Sequence, residues 1–168
     1  MIHRLELLNA VEDAPVGPRA ITAWRHMFGH HLPDQENNRG ARWNPPGVAA
    51  IHLSFDRTGA IAEGDHAIAI QPIRPRARRK LYTVTLTLEK VINISSPADL
   101  ARIGLTADDI ASDDMTACQE VGAAAEWLAH DGLIVPSARS PSLNLVIYPA
   151  HRASDAVFEF DSGEDVTS

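Results

Sequence analysis

The chain has 168 residues, 45% of them hydrophobic and 22% charged, which predicts one folded domain and excludes wholesale disorder. Its single cysteine excludes a disulfide within the chain. No apolar run reaches the roughly 18 residues of a membrane helix, so we expect a cytoplasmic protein with no membrane partner. The formal charge of -7 argues against direct nucleic-acid binding, which needs a basic face to neutralise phosphates.

The N-terminal third of the chain predicts two strands and a helix. The predicted strands cover residues 2–7 and residues 49–54, and the second of these is mostly apolar. The predicted helix covers residues 19–28, with Gly29 as its C-terminal cap. Residues 40–47 contain two glycines and two prolines and are predicted to form a rigid, turn-rich stretch.

The middle of the chain carries clear signals for where its elements begin and end. Asp56 is placed to cap a helix. Residues 82–88 alternate apolar side chains with threonines, which predicts a half-buried strand. Ser96 followed by Pro97 is typical of a helix start, and Gly104 is expected to end that short helix.

The C-terminal part predicts one more helix and three strands. Thr116 and Gln119 have the spacing of a capping box, and the helix behind them is expected to end near Gly132. Strands are predicted over residues 133–135, 143–148 and 156–160, followed by a flexible acidic tail over about residues 161–168. Because strands and helices alternate irregularly, we expect a single compact α+β domain over residues 1–168.

Several residue clusters suggest chemistry without completing a known pattern. His26, His30 and His31 could meet, but no cysteine pair or paired-histidine motif accompanies them, so no metal is expected. The basic run at residues 74–80 is interpreted as a solvated loop, with a binding patch as the alternative. Cys118 falls on the first turn of a predicted helix, where a buried structural thiol is favoured over a reactive one.

The stretch over residues 40–47 has a composition that is unusual for a simple turn. It holds the planar cation of Arg42, the indole of Trp43 and the amide of Asn44 in a rigid segment. A preorganised arginine loses little entropy when its fork of donors grips a phosphate pair. An equally good interpretation is structural, with Trp43 filling the core and Arg42 paired to a carboxylate.

Two further positions are ambiguous when each is taken alone. In Val135–Pro136–Ser137–Ala138 an apolar strand runs into a proline and then presents a hydroxyl, either as a binding group or as the start of a turn. Glu63 is one carboxylate on an otherwise apolar helical segment.

Taken together, these segments resemble the RES domain family, which is named for its arginine, glutamate and serine. The family's motifs recur here in order and at compatible spacing over about two thirds of the chain. The matching residues are Gly40, Arg42, Trp43, Asn44, Gly47, Ala60, Glu63, Gly122, Trp127, Val135, Pro136, Ser137, Ala138, Asn144, Pro149 and His151.

The resemblance implies a fold similar to that of ADP-ribosyltransferase toxins, with NAD+ as the substrate and no metal. It implies that Arg42 grips the diphosphate, that Glu63 orients the ribose and stabilises its cation, and that Ser137 helps to position the ribose or phosphate. The other residues expected to contact the substrate are Trp43, Asn44, His52 and Asn144.

The same resemblance implies the toxin of a toxin–antitoxin pair. The partner would be an Xre-type helix-turn-helix antitoxin, which would carry out any DNA binding. The toxin would cleave the nicotinamide–ribose bond by hydrolysis, phosphorolysis or ADP-ribosyl transfer. The alternative is a nucleotide-binding module that holds its ligand in the same pocket without cleaving it.

Two residues depart from the family's pattern. His52 stands where the family usually carries tyrosine, and Tyr148 stands where asparagine is common. With an unperturbed pKa near 6.5, a charged His52 would repel the cationic nicotinamide ring, so NAD+ affinity is expected to fall between about pH 7.5 and about pH 5.5. A His52 that serves only as packing would show no such dependence.

Overall fold

A computed structural model describes residues 3–167 and confirms the predicted α+β class. Five helices and seven strands are formed within these residues, and a 3-10 turn lies at Pro149–His151. The helices are α1 (Leu5–Asp13), α2 (Arg57–Ala69), α3 (Pro97–Arg102), α4 (Ala107–Ala111) and α5 (Thr116–Trp127). The strands are β1 (Val16–Phe28), β2 (Ile51–Ser54), β3 (Arg79–Asn93), β4 (Gly132–Pro136), β5 (Leu143–Ile147), β6 (Phe158–Phe160) and β7 (Glu164–Asp165).

The pairings between the strands form a closed ring. Strand β1 pairs with β2, β2 with β5, β5 with β4 and β4 with β3, and the long β3 also pairs with β1 along nearly its whole length. The β3–β4 pairing is parallel and the others in this ring are antiparallel. The register aligns Asn144 of β5 with Ser54 on one side and with Val135 on the other. The ends of three strands therefore meet at one place.

The first predicted strand is wrong, because the described part of residues 2–7 lies in or next to helix α1. Leu7 and Val11 are both buried, and their separation of four residues puts them on one helical face. Within residues 2–7 only Leu5, Glu6 and Leu7 alternate apolar and polar side chains, and a window that ends at Leu7 misses the helical period. Residue 2 itself lies outside the described residues.

The predicted helix over residues 19–28 is also wrong, because this segment belongs to strand β1. Ile21 and Ala23 are buried while Thr22 between them is exposed, which is the period of a strand. The antiparallel pairing with β3 supplies the backbone partners, and this tertiary contact outweighs local propensity. Gly29 has a positive φ of 61° and ends a strand rather than a helix.

Helices α2 and α3 begin as predicted. The Asp56 carboxylate accepts a hydrogen bond from the Gly59 backbone N–H at 2.5 Å, and Ser96 forms a reciprocal capping box with Asp99. Gly59 sits so close to Ser54 and Ser142 that a Cβ atom would overlap their hydroxyls. The glycine that weakens α2 locally is therefore required for the helix to pack against the strand ends.

The predicted capping box at the start of α5 is not formed. Thr116 is the first residue of the helix, and its hydroxyl donates to Asp114 at 2.7 Å. The Gln119 side chain instead donates to the Ala41 carbonyl at 3.0 Å, which ties the helix to the turn-rich stretch. The helix ends at Trp127, and Gly132 begins β4.

The last residues differ from the predicted flexible tail. Strand β7 pairs with β3 through Leu81↔Glu164 and Lys80↔Asp165. The carboxylate of Glu164 is paired with Arg57, and that of Asp165 is paired with Arg78. The acidic residues therefore lie against basic neighbours that are distant in the sequence, which composition alone does not indicate. The predicted strand over residues 156–160 forms only over Phe158–Phe160.

The core contains the apolar faces of the sheet and of α5. Cys118, Val121, Ala124 and Ala125 of α5 are buried, so Cys118 is the structural thiol that the sequence favours, and burial raises its pKa. Within the described residues, no helix has the length and apolar character needed to cross a membrane.

Tyr148 fastens the turn-rich stretch to this core. Its buried hydroxyl donates to the Trp43 carbonyl at 2.9 Å. The same carbonyl lies so close to Gly122 that a Cβ atom there would overlap it. The glycine of α5 and the tyrosine after β5 thus fix the backbone of Trp43, and with it the position of Arg42.

Replacing Tyr148 with phenylalanine leaves the Trp43 carbonyl buried without its donor. We expect Tyr148→Phe to lower the free energy of unfolding by about 1–3 kcal/mol, measured by urea denaturation. Tyr82→Phe is the matched control, because Tyr82 is also buried and its hydroxyl has no hydrogen-bond partner among residues 3–167. Equal losses in the two variants would contradict this role for Tyr148.

Candidate functional site

A cleft of about 560 Å³ opens where α2 crosses the ends of the strands. Its walls are formed by the end of β1, by β2, by the inner face of α2, by the turn-rich stretch and by the β4–β5 connection. Of the residues predicted to act together, the cleft lining includes Arg42, Trp43, His52, Glu63 and Asn144.

The carboxylate of Glu63 is held by two donors from the opposite wall. Its Oε1 atom accepts a hydrogen bond from the Ser137 hydroxyl at 3.1 Å and another from the Asn144 side-chain amide, also at 3.1 Å. These donors come from the β4–β5 connection and from β5, which lie 74 and 81 residues along the chain from Glu63. The second carboxylate oxygen, Oε2, accepts no hydrogen bond from residues 3–167 and is not fully buried.

The residues around Ser137 form a tight connection that holds its hydroxyl in place. The Ser137 N–H donates to the Ser142 carbonyl at 3.0 Å, and the Ser137 hydroxyl accepts from the Arg139 N–H at 3.1 Å. Ser137 therefore both starts a turn and donates to Glu63. The turn is one of the two alternatives that the sequence offered; Ser137 is not among the residues that line the cleft, and contact of its hydroxyl with a ligand stays a prediction.

Arg42 extends from the anchored stretch toward the cleft. One guanidinium nitrogen, Nη1, donates to the Asp109 carbonyl at 3.2 Å. Among the described residues, no carboxylate lies within ion-pair distance of Arg42, so the structural interpretation with a paired carboxylate is not what forms. The guanidinium also lies beside the buried Cys118 thiol, and Arg42 is one of the residues that line the cleft.

Trp43 and Asn44 were predicted to contact the substrate, but both side chains are buried and support the fold. Trp43 is 3% exposed and packs in the core, although part of it reaches the cleft wall. Asn44 is fully buried, and its amide donates to the carbonyls of Asn37 and Val48 at 3.0 and 2.7 Å. Asn44 therefore does not line the cleft, because its side chain is occupied in shaping the turn-rich stretch.

His52 lines the cleft, but it does not titrate in the expected range. Its Nε2 atom is buried with no hydrogen-bond partner among residues 3–167. Burial, with a smaller contribution from the nearby Arg25 charge, lowers the pKa of His52 from 6.5 to about 4. The expected loss of affinity between about pH 7.5 and about pH 5.5 is therefore not supported, since His52 stays neutral throughout that range.

The cleft lining also includes residues that the sequence did not assign to the site, among them Arg25, His26 and Arg139. Arg25 donates from Nη1 to the carbonyls of Pro33 and Gln35 at 2.6 and 2.7 Å, which ties the loop after β1 to that strand. The misassigned helix concealed His26, because the alternation of β1 puts Trp24, His26 and Phe28 on one side of the strand, and all three line the cleft.

The histidines do not assemble a metal site within the part of the chain that the structure describes. No group of three or more histidine, cysteine or acidic side chains lies close enough to hold an ion there. His30 and His31 are exposed in the turn after β1, whereas His26 faces the cleft.

Comparison with known proteins identifies the family. The family model described as RES domain matches residues 17–167. The chain belongs to the RES domain family. This confirms the resemblance that is carried by the motifs containing Arg42, Glu63 and Ser137. The segments that differ most from their predicted structure, residues 2–7 and 19–28, lie outside those motifs.

Two proteins are informative relatives of this RES domain. It is 32% identical over 156 residues to the NAD(+) phosphorylase MbcT of Mycobacterium tuberculosis, and the alignment covers 88% of this chain and 81% of the relative. MbcT of Mycobacterium bovis gives the same values. In structure, the RES domain resembles the crystal structure of the M. tuberculosis MbcT–MbcA toxin–antitoxin complex, with a TM-score of 0.84, 25% identity and coverage of 98% and 93% of the two chains.

The electrostatics of the cleft predict that His52 remains neutral. Its ring proton and carbon resonances, followed by NMR, should stay constant from about pH 7.5 to about pH 5.5 and move only near pH 4. The His52→Gln variant identifies the resonance. Because the unfolded chain binds this proton at higher pH than the folded one, stability falls as the pH drops through 6.5 toward 4. An NMR titration midpoint of His52 near pH 6.5 would contradict the burial of this ring.

Proposed function

We propose that this RES domain is the toxin of a toxin–antitoxin pair and that it cleaves the nicotinamide–ribose bond of NAD+. The observation that carries the proposal is the Glu63 carboxylate, which lines the cleft and has one oxygen held by Ser137 and Asn144 and the other without a donor among residues 3–167. The relatives named NAD(+) phosphorylase support the substrate, and the similarity to a toxin–antitoxin complex supports the biological setting.

The chemistry of NAD+ fits a site with one fixed carboxylate. When the bond between ribose C1 and the nicotinamide nitrogen breaks, its electron pair goes to the ring nitrogen and cancels the ring's positive charge. Nicotinamide leaves as a neutral molecule, so no strong general acid is needed. The positive charge develops on the ribose instead, and a carboxylate close to the sugar stabilises it.

We assign the second oxygen of Glu63 to the ribose, where it accepts from the 2′-hydroxyl and faces the developing cation. Ser137 and Asn144 keep the carboxylate in place while the charge forms, so no reorganisation is needed at that moment. Arg42 supplies a planar fork of donors for the diphosphate, and its anchored backbone reduces the entropy lost on binding. Trp43, His52 and Asn144 form part of the surrounding wall.

We propose inorganic phosphate as the acceptor, on the model of the phosphorylase relatives. A phosphate oxygen then forms the new bond to ribose C1 as the nicotinamide bond breaks. The test is to incubate the purified chain with NAD+, with and without phosphate, and to analyse the products by mass spectrometry. A phosphorylated ADP-ribose formed only with phosphate supports phosphorolysis, and plain ADP-ribose shows hydrolysis. Bound but intact NAD+ would mean a binding module.

The partner we propose is an Xre-type helix-turn-helix antitoxin. The similarity to a toxin in complex with its antitoxin supports a protein partner, and the formal charge of -7 favours DNA binding by that partner rather than by this chain. Inhibition of nicotinamide release by the product of an adjacent small reading frame tests this. A neighbouring protein that neither binds the chain nor inhibits it would contradict the pairing.

Glu63→Gln keeps the size and the acceptor oxygen of the side chain but removes its charge. We expect kcat for nicotinamide release to fall by about 10²–10³-fold, the scale of one preorganised electrostatic contact, with little change in NAD+ affinity. Glu159→Gln is the matched control, because Glu159 is exposed on β6. Unchanged turnover in a folded Glu63→Gln variant would remove Glu63 from the mechanism.

Arg42→Lys keeps the positive charge but loses the planar fork. NAD+ binding should weaken by about 1.5–3 kcal/mol, the range for a hydrogen bond to a charged group, when measured by calorimetry. Arg39→Lys controls for the charge change in an exposed arginine nearby. If Arg42→Lys binds NAD+ as tightly as the parent but is less stable, then the bond to Asp109 is the whole role of Arg42.

A further inference from the structure

A buried arginine fixes the ring of one cleft histidine. Arg79 begins β3 and is only 7% exposed. Its Nε atom donates to Nε2 of His26 at 2.9 Å, and its Nη2 atom donates to the Asp65 carboxylate at 2.6 Å. The guanidinium thus joins β3 to β1 on one side and to α2 on the other.

This contact determines which ring nitrogen of His26 carries the proton. A guanidinium has donors only and stays protonated, so the nitrogen that it contacts must accept. Burial and the Arg79 charge lower the pKa of His26 from 6.5 to about 4, against a smaller opposing effect of Asp65. In a neutral ring whose Nε2 accepts, the proton resides on Nδ1, which is then a donor.

The ring is also held on its other sides. It packs on Gly64, where a Cβ atom would come within 2.5 to 2.7 Å of three ring atoms. The Phe28 ring meets it edge-on, with centroids 4.8 Å apart. Gly64 directly follows Glu63, so the imidazole lies beside the segment of α2 that carries the held carboxylate, and it lines the same cleft.

We infer that Arg79 locks His26 as its Nδ1–H tautomer, and that His26 thereby offers a fixed, neutral donor to an oxygen of the nicotinamide–ribose half of bound NAD+. This rests on the proposed function. His26 contacts the substrate, and Arg79 is a positioning residue that acts through it. A neutral donor suits this place because the nicotinamide ring is cationic, and a charged imidazole would repel it.

The nitrogen chemical shifts of ¹⁵N-histidine-labelled protein distinguish the two tautomers directly. We expect Nδ1 of His26 to be the protonated, pyrrole-type nitrogen in the substrate-free parent. Arg79→Met removes the donor with a side chain of similar length, and it should give a mixture of both tautomers. The parent spectrum decides the tautomer even if the Arg79 variant does not fold.

Two substitutions of His26 then test the donor. The amide of asparagine can take the place of Nδ1–H, whereas that of glutamine reaches toward Nε2. His26→Asn should keep kcat/KM for NAD+ within about threefold of the parent, and His26→Gln should lose about tenfold, mostly in KM, which is the scale of one hydrogen bond. His30→Asn and His30→Gln form the matched control pair in an exposed histidine.

The outcomes separate this inference from the proposed function. An Nε2–H tautomer in the parent overturns the lock by Arg79, and equal losses in folded His26→Asn and His26→Gln overturn the donor. Calorimetry with NAD+ keeps the donor test independent of turnover. A parent that binds NAD+ without releasing nicotinamide contradicts the proposed cleavage but not the donor, and a parent that does not bind NAD+ overturns both.

Discussion

The hydrogen-bonded Glu63 carboxylate is the contact on which the whole site depends. It joins helix α2 to the β4–β5 end of the sheet through Ser137 and Asn144. A carboxylate next to a developing cation is useful only if it does not have to move or reorient as the charge forms. The two donors provide this, and because both bind the same oxygen they leave the other without a donor among residues 3–167.

The fold brings these groups together by closing the sheet pairings into a ring. Strand β5 lies between β2 and β4, so Asn144 is aligned with the ends of both neighbours. Close packing at Gly59 lets α2 approach those ends. A larger residue there would move the helix, and with it the carboxylate, away from its donors.

A second anchored unit presents the arginine. The stretch around Trp43 is fixed from α5 by Gln119, from the end of β5 by Tyr148 and from within by the buried amide of Asn44. These contacts hold the backbone of the stretch in position and do not involve the substrate. They hold the backbone of Arg42 at the cleft wall, which is the preorganisation that anion binding by arginine favours.

The sequence predicted the parts of the structure whose signals are local. Period-two alternation placed β3, the Asp56 and Ser96 caps placed α2 and α3, and the motif residues brought Arg42, Glu63 and Ser137 into consideration. Strand β1 could not be predicted in this way, because only its long pairing with β3 makes it extended. For the same reason the cleft residues Arg25 and His26 were missed.

Other parts depend on contacts between residues that are far apart in the sequence. Asn44 was predicted to contact substrate because it belongs to a motif, yet its amide is bonded to two backbone carbonyls. The acidic C-terminal residues pair with Arg57 and Arg78, which no local pattern indicates. The neutrality of His52 follows from its burial, and burial is a property of the folded chain.

A double-mutant cycle between Ser137 and Glu63 tests the central claim most directly. The kcat for nicotinamide release is measured in the parent, in Ser137→Ala, in Glu63→Ala and in the double variant. If Ser137 acts by holding Glu63, Ser137→Ala lowers kcat by about tenfold in the parent and has no effect in the Glu63→Ala background. An equal loss in both backgrounds would contradict the account, because Ser137 would then act on the substrate independently of the carboxylate.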